Sequence, residues 1–135
     1  MIKLSLERVE HGWANIEMIF NNQVLVCEFE YTPNDALNDL LYSAICVTQG
    51  RDAIVVFPCH SHRTELTVIS IGSNMCRIMV EGFIMELSTK DYAKVVLRMF
   101  DKYLYSFSER KYEIEWRRSF PSDYLSKLRQ QYHSL

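Results

Sequence analysis

The side chains most suited to chemistry stand together in the middle of the chain, in the order Cys59-His60-Ser61-His62. A thiolate and two imidazoles are ligands that zinc and related metals accept, so the cluster suggests a metal site. Such a site usually needs further ligands from elsewhere, and only His11 and His133 remain as histidines. The simpler interpretation is a polar turn between two strands.

The same cluster could supply a nucleophile, Cys59, with His60 or His62 as its base. Neighbours along an extended segment point to opposite sides, so Cys59 and His60 would not readily meet. The chain has only 4 glycines and no glycine-rich phosphate-binding motif. We therefore expect a protein that is not an enzyme and has no cofactor. A small metal-binding protein or hydrolase that uses Cys59, His60 and His62 is the alternative.

Carboxylates are concentrated in the first part of the chain. Residues 1–60 carry 3 basic and 8 acidic side chains, whereas residues 61–135 carry 12 basic and 9 acidic ones. Five carboxylates are expected on a surface formed by two strands and the first helix: Glu17, Glu28, Glu30, Asp35 and Asp39. Such a surface would attract a basic partner and accelerate association. An ordinary solvated face is the alternative interpretation.

Residues 32–50 predict the helix around which the domain is organised. Thr32 is expected to cap it, Pro33 to occupy its first position and Gly50 to end it. Its apolar stripe consists of Leu37, Leu40, Leu41, Ala44, Ile45 and Thr48. The opposite side is expected to stay in water and carries Asn34, Asp35, Asn38, Asp39 and Tyr42.

The remaining elements follow from the periodicity of apolar residues. Alternation predicts a three-stranded antiparallel meander before the helix, with turns at residues 10–12 and 21–22. Later strands are expected at residues 52–58, 64–71 and 75–87, the last with a bulge at Gly82. Ser88 and Ser122 are expected to start helices, and residues 109–118 favour another.

Together these elements predict the α+β class, with about six mostly antiparallel strands and two to three helices packed on one face. A length of 135 residues fits a single domain over residues 1–135. No apolar run approaches the roughly 20 residues of a membrane span, and the first residues lack a signal-peptide layout. The formal net charge of -2 is unlike that of a general nucleic-acid binder. We expect a cytoplasmic protein that binds neither membranes nor nucleic acid directly.

Two segments resemble a group of small bacterial single-domain proteins. They read His11-Gly12-Trp13 before a strand, and Tyr31-Thr32-Pro33-Asn34-Asp35-Ala36-Leu37-Asn38-Asp39-Leu40-Leu41-Tyr42-Ser43-Ala44 with Gly50 closing the helix. The Phe120-Pro121 step before a leucine-bearing helix is similar to the ending of that group. Several of its members are immunity proteins of toxin systems, including contact-dependent growth inhibition. The chain departs from the group at Phe57-Pro58-Cys59-His60-Ser61-His62, where an acidic turn containing proline is expected.

The resemblance implies a cytosolic protein that binds one cognate toxin domain, often a nuclease. Neutralisation would come from covering the active site or the substrate surface of the toxin. The expected partner-binding residues are then Glu28, Glu30, Asp35 and Asp39. A non-toxin adaptor subunit that uses the same exposed surface is a further alternative.

Overall fold

The computed structural model describes residues 2–59 and 62–135, and within these ranges it contains seven strands and four helices. The strands are β1 (Ile2–Glu10), β2 (Trp13–Phe20), β3 (Gln23–Glu30), β4 (Ala53–Pro58), β5 (Arg63–Ser70), β6 (Met75–Val80) and β7 (Phe83–Ser88). The helices are α1 (Ala36–Thr48), α2 (Thr89–Ser106), α3 (Glu109–Trp116) and α4 (Ser122–Ser134). The α+β class and the antiparallel pairing are confirmed.

The strands form two antiparallel meanders. Sheet A has the order β1-β2-β3 and sheet B the order β4-β5-β6-β7. The first two turns use residues that tolerate positive φ, with His11 at 54°, Gly12 at 80° and Asn21 at 55°. The meander expected before the first helix is therefore confirmed as sheet A.

Residues 75–87 form a hairpin, and the prediction of one long strand with a bulge at Gly82 is wrong. Glu81 and Gly82 have φ values of 47° and 81°, as a tight two-residue turn requires, and Val80 pairs directly with Phe83. Glutamate rarely adopts positive φ, so the residue types at this point do not indicate a tight turn. This hairpin raises the strand number from the expected six to seven.

Helix α1 lies in the centre of the hydrophobic core. Nine of its 13 residues are buried, which is more than one stripe, so the helix is enclosed on several sides. It contacts β4 and β5 of sheet B together with α2 and α4. Helix α2 contacts both β1 and β7 and thereby links the two sheets. One continuous core with side chains from both sheets and all four described helices makes the chain a single domain.

The structure corrects the predicted start of α1 and confirms its end. Asp35, and not Thr32, caps the helix by accepting a hydrogen bond from the Asn38 N–H at 3.1 Å. Thr32 and Pro33, joined by a cis peptide bond, precede the helix. At the other end, Gly50 has φ of 76° and donates its N–H to the Val47 carbonyl at 3.1 Å.

The later helices begin where the sequence indicates. Ser88 caps α2 by accepting a hydrogen bond from the Asp91 N–H at 3.0 Å, and Ser108 caps α3 in the same way through Lys111. The helix favoured over residues 109–118 is confirmed as α3, which ends at Arg117 in the left-handed conformation. Helix α4 starts at Ser122 and buries Leu125 and Leu128.

Two buried tyrosines differ in whether their hydroxyl groups are satisfied. The Tyr92 hydroxyl lies 2.8 Å from the Ser43 hydroxyl, whereas the Tyr112 hydroxyl has no hydrogen-bond partner among the described residues. Both side chains are fully buried, and burial raises the pKa of each phenol. An unpaired buried hydroxyl destabilises the folded state, while a paired one contributes to stability.

We therefore expect Tyr112→Phe and Tyr92→Phe to have opposite effects. Tyr112→Phe should leave the free energy of unfolding unchanged or raise it by about 1 kcal/mol, and Tyr92→Phe should lower it by about 1 kcal/mol. Urea denaturation of the two variants beside the native protein measures both values. A larger loss for Tyr112→Phe than for Tyr92→Phe would contradict this account of the core.

Candidate partner-binding surface

Sheet A turns one side to the core and the other side outward. Along β2, Ala14, Ile16, Met18 and Phe20 are buried, and the alternate residues are partly exposed. The outward side, called here the outer face of sheet A, carries Trp13, Asn15, Glu17 and Ile19 of β2 and Val24, Val26, Glu28 and Glu30 of β3. The alternation predicted from the sequence is thereby confirmed for both strands.

The outer face of sheet A places carboxylates next to apolar side chains. In the antiparallel register, Glu28 lies opposite Asn15, Glu30 opposite Trp13, and Glu17 opposite Val26. Glu28 is exposed and Glu30 is partly buried. Val26 is 61% exposed, which is unusual for a valine in the middle of a strand. Exposed aliphatic and aromatic side chains bordered by charges are typical of protein interfaces.

Asp35 and Asp39 occupy a different place, at the start of α1, where both take part in structural contacts. The Asp35 Oδ1 atom accepts from the Asn38 N–H and also from the Trp116 indole N–H at 2.9 Å. The Asp39 carboxylate accepts from the Asn34 amide at 3.0 Å. Both aspartates are partly buried, so the prediction that this side of the helix stays in water is wrong for them.

Asn34 shows why these carboxylates are drawn into the structure. Its side-chain amide donates both to Asp39 Oδ2 and, at 2.9 Å, to the main-chain carbonyl of Val56 in β4. The Asp39 carboxylate therefore holds an asparagine that ties the start of α1 to sheet B. Burial raises the pKa of the Asp39 carboxyl, the hydrogen bond from Asn34 lowers it, and the neighbouring Asp35 charge raises it further.

The contacts around Tyr31 explain why position 12 is a glycine. Gly12 donates its N–H to the Glu115 carbonyl at 2.7 Å and accepts from the Tyr31 N–H at 3.0 Å. A Cβ atom on Gly12 would lie 2.8 Å from the Tyr31 ring, so only glycine fits without displacement of the ring. Arg118 donates from Nε and Nη2 to the Tyr31 carbonyl at 2.9 and 2.7 Å. The turn at Gly12 therefore contacts α3, and Tyr31 contacts Arg118, which follows the end of α3.

The turn that follows β4 is described only in part, because His60 and Ser61 lie outside the described residues. Cys59 donates its N–H to the His62 carbonyl at 3.0 Å, and this bond closes the turn. Among the described residues no group of three or more histidine, cysteine or acidic side chains is arranged to hold a metal ion. The alternative of a metal site at Cys59, His60 and His62 includes a residue outside the described ranges and therefore stays untested.

Comparisons with known proteins add no identification. No protein-family model matches the chain, and searches of curated proteins and of solved structures give no significant match. None of the helices in the described ranges is both long and apolar enough to cross a membrane.

Asp35→Ala should destabilise the domain because it removes two hydrogen bonds at once. Loss of the helix cap and of the partner of the Trp116 indole should together lower the free energy of unfolding by about 2 to 3 kcal/mol. Urea denaturation measures the change. Asp123→Ala is the matched control, since Asp123 also lies in the first turn of a helix but is exposed. Equal effects of the two substitutions would show that Asp35 is not a structural contact.

Asp39→Asn tests whether ionisation of the partly buried Asp39 carboxyl makes the stability of the domain depend on pH. A carboxyl whose pKa is raised by folding contributes stability below its unfolded pKa, and this contribution is lost as pH rises through the folded pKa. Asparagine keeps an oxygen acceptor for Asn34 but cannot ionise. The free energy of unfolding of the variant minus that of the native protein should therefore be larger at pH 7 than at pH 3. Urea denaturation at both pH values decides this, and the opposite slope would show that the charged form of Asp39 is favoured.

Proposed function

We propose that this protein is an immunity protein that binds and neutralises a cognate toxin domain in the bacterial cytoplasm. The outer face of sheet A is the binding surface, with Glu28 and Glu30 as its charged residues. The toxin is a basic protein such as a nuclease, which the domain inhibits by covering the active site or the substrate surface. The protein itself performs no reaction.

The observation that carries this proposal is the composition of the outer face of sheet A. Two valines, each more than half exposed, share this face with Trp13 and three glutamates, and Val26 lies opposite Glu17. Burial of apolar area at such a face would provide affinity, at about 25 cal/mol per Å² before the costs of association. The carboxylates around it would favour a basic partner and exclude acidic ones.

The structure of the domain suits this task because the face is carried by a rigid meander. Side chains on paired strands keep their spacing, so little conformational freedom is lost when a partner docks. The glutamates at the rim would mainly increase the association rate, and the apolar residues would mainly slow dissociation. Asp35 and Asp39 are assigned to the support of α1 and no longer to the partner-binding surface.

Reversal of the acidic pair tests the proposal. We expect Glu28→Lys with Glu30→Lys to weaken binding of the toxin domain by at least tenfold, about 1.4 kcal/mol, because attraction becomes repulsion. The protein should be expressed together with the C-terminal toxin domain encoded immediately upstream. Growth of the cells reports neutralisation, and co-purification reports binding.

The matched control reverses Glu65 of β5 and Glu81 of the turn between β6 and β7, which are both exposed. This control variant has the same net charge as the test variant and should rescue growth as well as the native protein does. Rescue by the native protein together with equal rescue by the test variant would remove the outer face of sheet A from the interface. Failure of the native protein to rescue growth or to bind would overturn immunity and favour an adaptor function.

A further inference from the structure

Helix α2 carries four basic residues at intervals of four positions, which places them along one side of the helix: Lys90, Lys94, Arg98 and Lys102. Like charges at this spacing repel and destabilise a helix by about 0.2 to 0.5 kcal/mol per pair. The side chains of Lys94, Arg98 and Lys102 have no ion-pair or hydrogen-bond partner among the described residues. The nearby Asp101 carboxylate is bound by Arg129 instead. In the free protein, the charges of Lys94, Arg98 and Lys102 are therefore not neutralised by other described side chains.

This row borders a groove. One lobe, of about 580 Å³, is lined by Ile2, by β7 including Glu86, and by Asp91, Lys94 and Arg98 of α2, so its charges are mixed. A second lobe, of about 450 Å³, is lined by Ile2, Lys3, Leu4, Val95, Arg98 and Lys102. Because both lobes share Ile2, Val95 and Arg98, they form one continuous groove, called here the α2 groove. The second lobe has an apolar floor and three basic side chains, and no acidic residue lines it.

The α2 groove runs along the free edge of sheet A. β1 is an edge strand because it pairs only with β2. Lys3 points to the opposite side of β1 from Ile2 and Leu4, yet all three residues line the second lobe. The second lobe therefore lies around the first residues of β1, beside the free edge of this strand. The edge of a sheet presents unpaired N–H and C=O groups that can accept an additional strand.

The spacing of the basic residues along α2 matches the spacing of alternate residues in an extended peptide. Successive basic residues on α2 are separated by four residues, which corresponds to about 6 Å along the helix axis. Alternate residues of an extended peptide are separated by about 6.6 Å and point to the same side. A peptide with an acidic residue at every second position would therefore place its carboxylates opposite Lys94, Arg98 and Lys102. The intervening side chains would face away from α2, on the side of sheet A that carries Lys3, and β-branched residues there would favour the extended conformation of the peptide.

We propose that the α2 groove binds an extended acidic segment of a partner protein, in which acidic and apolar residues alternate. The segment adds to the free edge of β1 while its carboxylates pair with Arg98, Lys102 and Lys94. A nucleic acid fits less well, because strong binding of a phosphate backbone usually takes six to ten phosphate contacts and a strongly basic protein. The groove offers four basic residues in a chain of net charge -2. This inference does not depend on the partner of the outer face of sheet A.

The test uses an eight-residue peptide of alternating glutamate and valine, labelled with fluorescein and titrated with the full-length protein. Fluorescence anisotropy at low salt should show saturable binding that weakens as salt is added. Arg98→Glu with Lys102→Glu should weaken binding at least tenfold, because two attractive contacts become repulsive. Lys127→Glu is the control for a change of charge, since Lys127 is exposed on α4, and it should change the dissociation constant less than twofold. Circular dichroism confirms that each variant is folded.

Two further probes separate this ligand from the alternatives. A peptide with the same composition but four glutamates followed by four valines should bind several-fold more weakly, because only the alternating order matches the groove. A labelled oligothymidylate of eight nucleotides should bind more weakly than the alternating peptide. The proposal is overturned by equal or tighter binding of the oligothymidylate, by an unchanged dissociation constant for the double variant, or by no binding of the alternating peptide at 1 mM protein.

Discussion

One carboxylate oxygen, Oδ1 of Asp35, joins parts of the chain that are 81 residues apart. It caps α1 and at the same time accepts the indole N–H of Trp116 at the end of α3. The Trp116 ring packs edge-on against Phe29 of β3, with ring centres 5.6 Å apart, and Phe29 packs in the same way against Phe57 of β4 at 4.9 Å. Because β3 and β4 belong to different sheets, this row of aromatic rings helps to hold sheets A and B together. This junction and helix α2, which contacts β1 and β7, together connect the two sheets.

The four acidic residues predicted to bind a partner therefore form two structurally different groups, although the sequence alone does not distinguish them. The carboxylates of Asp35 and Asp39 accept hydrogen bonds from Trp116, Asn38 and Asn34, and these bonds stabilise the junction at the start of α1. Glu28 and Glu30 lie on the outer face of sheet A, opposite Asn15 and Trp13 of β2. This face is separate from the buried side of β2, which carries Ala14, Ile16, Met18 and Phe20. Residues 31–44 lie mainly at the junction at the start of α1, so they bear on the fold more directly than on a partner.

The sequence was sufficient for features that depend on local periodicity. Alternation located β1, β2 and β3, and the spacing of leucines located α1, because one buried face leaves a regular pattern. It was insufficient where distant residues decide between local options. Thr32 and Asp35 are both good capping residues, and only the bond from Trp116 favours Asp35. The contact of Asn34 with Val56 and the placement of Lys3 beside α2 have no local signal, since both arise from packing between separate elements.

The two proposed surfaces have opposite charge although the chain is almost neutral. Screening limits exposed charges to about 8 Å at physiological salt, so each partner responds to the surface it approaches and not to the net charge. Both surfaces include strands of sheet A, but a partner on one of them would leave the other accessible. A strand added along the α2 groove would lie in the plane of the sheet, beside β1, whereas a partner on the outer face would lie above β2 and β3. Because the groove lies at the edge of β1 and Glu28 and Glu30 lie on β3, two strands away, the charges of the two surfaces are expected to act independently at physiological salt.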